Sequence, residues 1–591
     1  MDKPKSDSLD QKNGRTNRTR SRGRVWLLRL AAISFGIVPL LILEGGLRLF
    51  GIGRDLSLIV PLSQSPGWYQ LNPKFDEPFY GQADLSGPEP RPFQLPKPKG
   101  TRRILVVGGS TVVGFPYPSE LAFPRHMEVA LQAQAAEGET IEVLNAGITA
   151  MNTSTEVAVV HEGLKANPDV IVVYTGHNEF YGPGGVASSA SWLSPRWYRT
   201  AAIWRRCYLA QNIRRLTKPR ASSRDLIESL PGNLHIEFNG DTFQQGIARF
   251  EANLSAMASL AGRAGIPIIF VSPVANEHDQ PPIEKLNPNN TSAPAEAWRV
   301  KMAAAERELR WGDPLKGLEI LEAVRLERDQ DPLVAFRLAL AYERTEQHPL
   351  AIAQFQRAMD LDGCRFRAPS AFRITMEQVA LNHAANGADF LDLHTAVCRA
   401  DLNGVPGRTH FLEHVHFTWE GNRIAGEEIA KRIWQHTWSR EWSSSRALDE
   451  QSANEQMAVQ DEDHLAAHAL AMMIYQKLPF RDGVDAADLA KDLIDDSMKI
   501  FRRLSAERQT LFEQQTPQDM SEDLLGSLIR ASHSAGKEEL NEQWLKARVT
   551  RQPWNCKAAY ELANWLRAHG KSDEADRRQK ERAPSPCGPT P

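Results

Sequence analysis

The stretch RRILVVGGSTVVGF, residues 102–115, decides the fold. Ile104–Val107 is an unbroken apolar run, the mark of a strand buried on both faces, and Gly108 and Gly109 bend it into Ser110 and Thr111. A glycine turn after such a strand either cradles a phosphate or exposes a nucleophile. A Walker loop needs a Lys before its Ser/Thr, and none is present. A dinucleotide fingerprint needs G-x-G-x-x-G, whereas Gly108, Gly109 and Gly114 are spaced differently. No acidic residue closes the following strand to hold a ribose, so the nucleophile reading is favoured.

Working outward, Ser119–Ala136 reads as an amphipathic helix, IEVLNAG (141–147) as a strand, Ser154–Lys165 as a helix and DVIVVYTG (169–176) as a strand. The pattern resumes with a helix over Thr242–Gly265, the strand-like IPIIFVSPV (266–274), a helix over Phe372–Asn386, a strand DFLDLHT (389–395) and a last helix over Trp419–His436. Apolar runs alternating with helices predict an α/β protein: a parallel sheet covered on both faces, a three-layer αβα sandwich.

A nucleophilic serine needs a base, a group to orient that base, and donors for an oxyanion. These belong at strand ends, where a parallel sheet opens its crevice. The second strand ends in Asn145-Ala146-Gly147, and glycine lets a backbone N–H come close. The third ends in Gly176-His177-Asn178-Glu179, where an amide side chain is available. Late in the αβ pattern stands FLEHVHFTWEGN (411–422), in which Glu413 precedes His416 by three residues.

Ser110 in GGST, Gly147 in NAG, Asn178 in GHNE and His416 in EHVH follow the order of the four blocks of SGNH (GDSL-type) hydrolases, which the chain resembles over 101–182 and 240–436. The resemblance implies an SGNH/flavodoxin-like sandwich. It also implies Ser110 as nucleophile, His416 as general base, and an oxyanion hole of the Ser110 N–H, the Gly147 N–H and the Asn178 side chain. Two departures stand out. The family usually carries Asp three residues before the histidine, where this chain has Glu413, and its third block usually ends in Asp, where this chain has Glu179. The string YTGHNEFYG looks like a membrane-anchored branch that pairs this fold with tetratricopeptide repeats.

The same residues admit other readings. His410, His414 and His416 with Glu413 resemble a metal cluster, but the segment reads as a loop and no motif elsewhere completes a site. No metal and no cofactor is expected. His177 is a candidate for substrate contact or a packed crevice residue, and His161 reads as structural. Thr111 and Asn152 lie near the pocket or cap helices.

Composition places these motifs in a larger chain. At 591 residues it is too long for one core, and 42% apolar with 24% charged residues is ordinary for a folded protein. Residues 1–24 carry eight Lys/Arg against three Asp, so the net charge of -3 hides a body near -8; a mildly acidic body argues against nucleic acid as a partner. The tail leads into a run from Val25 to Leu43 that is apolar apart from Arg29 and about long enough to span a bilayer, with only a poor cleavage site after it. The expected organisation is a cytoplasmic tail (1–24), a transmembrane signal anchor (25–45), a linker with local ordered pieces (46–100), an SGNH hydrolase-like domain (101–436) and a helical C-terminal region (437–591). Insertions over 183–240 and 295–365 interrupt the domain.

The first insertion resists assignment. The second is helical, with Leu338, Ala339, Tyr342, Ala351, Phe355 and Ala358 at tetratricopeptide spacing, and Leu562, Ala563 and Ala575 suggest half of such a repeat near the C-terminus. Five cysteines (207, 364, 398, 556 and 587) form no CxxC; Cys364 and Cys398 could pair in an oxidising compartment.

The expected protein is a single-pass bacterial inner-membrane enzyme, its N-terminus cytoplasmic and its body periplasmic or extracellular. The expected activity is that of a serine esterase acting on an O-acylated glycan or lipid, with a protein partner on the repeats. One alternative is an O-acetyltransferase acting on an exported polysaccharide. Another is a catalytically silent scaffold for an envelope complex.

Overall fold

A computed structural model of the chain describes residues 22–63, 65–80, 87–188, 195–217, 234–284 and 293–580. The basic tail before residue 22, residues 189–194 and 218–233 of the first insertion, and Cys587 lie outside the described residues. The chain divides into two compact units, Met1–Asp55 with Trp204–Pro219, and Leu56–Ile203 with Arg220–Pro591.

The first unit holds α1 (Arg22–Leu49) and α7 (Tyr208–Thr217). Within α1, Trp26–Leu49 has a mean hydropathy of 2.1 and is long and apolar enough to cross a membrane.

The second unit is built on a five-stranded parallel sheet. Its strands are β4 (Thr101–Gly108), β5 (Thr140–Asn145), β6 (Val170–Tyr174), β7 (Ile268–Val271) and β8 (Ala388–Leu391), in the order β5-β4-β6-β7-β8. This is the flavodoxin-like order, with the switch point beside β4. Strand side chains alternate between two apolar layers. Leu105, Val107, Ile171, Val173 and Phe270 face α5 (Thr153–Gly163), α8 (Asp241–Ala264) and α13 (Ser370–Asn382). Ile104, Val106, Val170, Val172 and Ile269 face α4 (Phe123–Gln134), α14 (Leu393–Ala400) and α15 (Trp419–Arg432). The result is the three-layer αβα sandwich expected from the sequence.

Two local differences have physical causes. The strand expected over 389–395 stops at Leu391, because the Asp392 side chain accepts the Thr395 N–H at 3.2 Å and caps α14 there. Residues 46–100, rich in Pro and Gly, contain an antiparallel sheet of β1 (Ile59–Pro61), β2 (Trp68–Leu71) and β3 (Pro92–Gln94), with the short α2 (Glu77–Tyr80) between β2 and β3 in the chain. Leu58, Leu71, Phe75 and Phe93 are fully buried in the same layer as α5 and α8, so these residues pack as part of the domain.

The first insertion contains α6 (Pro195–Arg205) and α7. The second forms α9 (Ala293–Trp311), α10 (Pro314–Glu327), α11 (Pro332–Arg344) and α12 (His348–Leu361). Helices α10 and α12 each have 14 residues. Leu338, Ala339, Ala351, Phe355 and Ala358 are buried in one core with Leu321. Past α15 the chain is helical from Glu450 to Lys580. Cys207, Cys364 and Cys398 are free thiols, so the pairing considered for Cys364 and Cys398 does not occur; Cys556 is disulfide-bonded.

Candidate active site

The site begins where β4 ends. A Cβ on Gly108 would lie 2.1 Å from the Tyr174 carbonyl oxygen on β6, so only glycine fits where the two strands run side by side. Gly109 precedes a single helical turn, α3 (Ser110–Val113), closed by Gly114 at φ 114°. The serine therefore stands at the C-terminal end of β4, half-buried, on the first residue of a helix.

The histidine reaches it from a loop 306 residues downstream: His416 Nε2 lies 2.7 Å from Ser110 Oγ. That loop is a tight reversal in which Phe411 and Phe417 bridge and the Leu412 N–H donates to the His416 carbonyl at 2.9 Å. Inside it sits Glu413, fully buried. Its carboxylate accepts the backbone N–H groups of His414 at 2.7 Å and His416 at 2.9 Å, and it contacts His416 Nδ1 closely. Serine, imidazole and carboxylate are thus in line. Burial pushes the His416 pKa down to about 3, leaving the imidazole neutral at neutral pH, the form that can take a proton from a hydroxyl.

The groups expected to serve as oxyanion donors are arranged unequally. The Asn178 Nδ2 would lie 2.7 Å from a Cβ on Gly109, beside the nucleophile's turn. One of its two hydrogens goes to the Met151 carbonyl at 3.2 Å, which fixes the amide and leaves the second hydrogen. Gly147 packs against α3, where a Cβ would meet the Val113 nitrogen at 2.7 Å. Its N–H, however, already donates to Asn145 Oδ1 at 3.0 Å, while Asn145 Nδ2 donates to the Val112 carbonyl at 2.7 Å. Asn145 thus ties the end of β5 to α3, a role its place at a strand end before glycine does not reveal.

Glu179, where the family pattern has Asp, points away from the serine. It accepts the Thr153 hydroxyl at 2.6 Å and the Thr153 N–H at 3.1 Å, pinning the start of α5, and burial raises its pKa to about 7. His177 is buried with both ring nitrogens on protein partners: Nδ1 accepts the Ala368 N–H at 3.2 Å and Nε2 lies 3.4 Å from the Tyr174 hydroxyl. It forms part of the wall, and its candidacy for substrate contact gains nothing here. Asn152 occupies the N-cap of α5 without a side-chain cap bond, Thr111 is buried on α3, and His161 is exposed on α5.

Glu413, His414 and His416 offer three possible metal ligand atoms within 4.8 Å of one another. They face each other as partners, since both imidazole Nδ1 atoms contact the one carboxylate; His410 instead sits 3.2 Å from Asp401. His414, which the sequence offers only as a metal candidate, turns out to share the orienting carboxylate. The edge of Phe115 packs on the His416 ring, with centroids 4.8 Å apart.

Fold and geometry together define an α/β sandwich with a serine–histidine–carboxylate constellation at its sheet edge, the arrangement of acyl-transfer hydrolases. No family model and no curated relative matches the chain. Among solved structures it is similar to a lipase/acylhydrolase from Enterococcus faecalis, at 13% identity and a TM-score of 0.25 over 56% of this chain and 95% of that one. It is similar also to a putative lipolytic protein of the G-D-S-L family from Desulfitobacterium hafniense (12%, TM-score 0.23, 56% and 98%) and to an acetyl xylan esterase from Geobacillus stearothermophilus (12%, TM-score 0.25, 58% and 97%).

Proposed function

We propose that the chain is a membrane-anchored serine esterase of the SGNH type that cleaves an O-acyl ester of a glycan or lipid. The observation that carries this reading is the 2.7 Å approach of His416 Nε2 to Ser110 Oγ, with Glu413 on the opposite ring nitrogen. Ser110 Oγ attacks the ester carbonyl carbon as its proton passes to His416 Nε2. The charge on the carbonyl oxygen is met by the Ser110 N–H and the Asn178 amide, with the Gly147 N–H, which Asn145 already engages, as the weakest of the three donors. The alcohol leaves with the proton from His416. Water then adds to the acyl-serine by the same route, releasing the acid and restoring the hydroxyl.

Helix α1 supports anchoring, and the basic tail before it supports a cytoplasmic N-terminus with the body outside. The disulfide at Cys556 fits an oxidising compartment. The packed helices α9–α12 support a tetratricopeptide-like surface for a protein partner. The test is turnover of p-nitrophenyl acetate and labelling by a fluorophosphonate: both are expected from the wild type and lost in Ser110→Ala. Undiminished hydrolysis by that variant would sink the proposal.

A further inference from the structure

We propose that α7, together with Trp204, is an interfacial helix that lies in the headgroup layer of the leaflet where α1 emerges, with the lipid surface as its partner. This rests on the reading of α1 as a membrane span. Glu44 is the first charged residue after the apolar run Val25–Leu43 and so marks the exit from the hydrocarbon. Its carboxylate accepts the N–H groups of Tyr208 at 3.0 Å and Leu209 at 2.8 Å, the first two residues of α7. Arg48, one turn on, pairs with Glu44 at 2.7 Å and lies over the Tyr208 ring. Asn212 Nδ2 donates to the Ile52 carbonyl at 2.7 Å, and Gln211 exchanges hydrogen bonds with the Arg54 backbone at 2.9 and 3.0 Å. One side of α7 is therefore fixed to residues 44–54, at the depth where a spanning helix meets the headgroups.

A neighbouring side, about a third of a turn round the helix, is built for lipid. Leu209, Ile213 and Leu216 recur at i, i+4 and i+7 and form one stripe. Ile213 is 52% and Leu216 88% exposed, and Trp204 just before the helix is 61% exposed. A soluble surface does not need three large apolar groups beside a membrane exit. An interface does, with tryptophan at headgroup level. Residues 204–217, WRRCYLAQNIRRLT, contain four arginines and no acidic residue, a charge complementary to an anionic lipid surface.

The test uses the full chain in nanodiscs containing anionic phosphatidylglycerol, after Cys207, Cys364 and Cys398 are changed to serine. Nitroxide labels on Ile213→Cys, Leu216→Cys, Ile37→Cys and Leu402→Cys are compared for access to oxygen and to an aqueous nickel chelate. Ile37→Cys should read as hydrocarbon and the fully exposed Leu402→Cys as water, with the two α7 labels about 5–10 Å inside the headgroup boundary. If Ile37→Cys is immersed while the α7 labels meet the nickel chelate as freely as Leu402→Cys does, the inference is overturned and the span stands. If Ile37→Cys itself is aqueous, the span reading fails and the inference with it. Should the cysteine variants fail to fold, brominated-lipid quenching of wild type and Trp204→Phe answers the same question: quenching that does not fall in the variant overturns the inference.

Discussion

Glu413→Gln is the sharpest perturbation of the proposed mechanism. In the wild type one carboxylate receives the His416 ring at Nδ1 and two backbone N–H groups, at 2.7 and 2.9 Å. Glutamine keeps the size and one acceptor oxygen but replaces the other with an NH₂ group. If its oxygen takes the Oε2 place, which accepts the His414 N–H, the NH₂ takes the Oε1 place and faces an imidazole whose Nδ1 hydrogen points back at it. The conflict is relieved when the ring moves its hydrogen to Nε2, where it faces Ser110 Oγ and can no longer accept the serine proton. In serine–histidine–carboxylate triads this tautomer error costs about 10⁴ in kcat, or about 5 kcal/mol of transition-state stabilisation. KM should hardly move, since Glu413 is fully buried. Glu413→Asp keeps the charge but draws it back by one methylene, and a misplacement near 1 Å is expected to cost about 10². Steady-state hydrolysis of p-nitrophenyl acetate and the rate of fluorophosphonate labelling, on protein whose fold is checked by circular dichroism, read out both variants. A folded Glu413→Gln enzyme within about tenfold of wild type, with Ser110→Ala inactive, would refute the reasoning.

Three further outcomes are expected. Asn178→Ala removes the side-chain oxyanion donor and should lower kcat about 10²–10³-fold at little change in KM, measured on the same ester. Catalysis needs neutral His416, and burial lowers its pKa, so activity is lost only as pH falls through that lowered value: kcat/KM should hold through pH 6.5, the ordinary imidazole value, and decline below it, whereas a fall centred at or above 6.5 would contradict the assignment. Phe480→Ala removes a buried ring whose centroid lies 4.5 Å from that of His414; a loss of about 3 kcal/mol in chemical denaturation is expected, with a fall in kcat because His414 shares Glu413.

The parts of the fold that could be read in advance are those with local causes. The run Ile104–Val107 and its counterparts at 170–174 and 268–271 are apolar on both faces, and only a sheet with two covered sides accommodates that. The order of Ser110, Gly147, Asn178 and His416 could be matched to blocks because each stands at the end of its own strand or loop. What stayed hidden depends on long-range partners. Nothing in NAG says that the Gly147 N–H turns to Asn145, and nothing in EHVH says that one carboxylate lies against two imidazoles. The end of β8 turned on Asp392 choosing a cap over a strand position. The sheet of β1–β3 was obscured by its many prolines, which mask a buried set as spare as Leu58, Leu71 and Phe93. The fixing of α7 on Glu44 joins residues far apart in the chain, and no periodicity carries such a signal.

The loop that carries His416 is stabilised from both sides. From within, Asn422 on α15 accepts the Phe123 N–H at 2.8 Å, and the Thr418 N–H donates to His410 at 2.9 Å, so the loop carrying His416 is tied to the αβα sandwich. From without, Phe480 packs on His414, while Met457, Ile474 and Phe480 share one apolar cluster with Leu121, Leu412 and Trp419. The Tyr475 hydroxyl adds a hydrogen bond to Gln280 at 2.8 Å, behind β7. A chain cut after α15 would expose Leu412 and Trp419 on either side of the base and leave Gln280 without this partner. The helices past residue 437 thus pack on the histidine loop that brings Nε2 to Ser110, and this packing extends through Phe480.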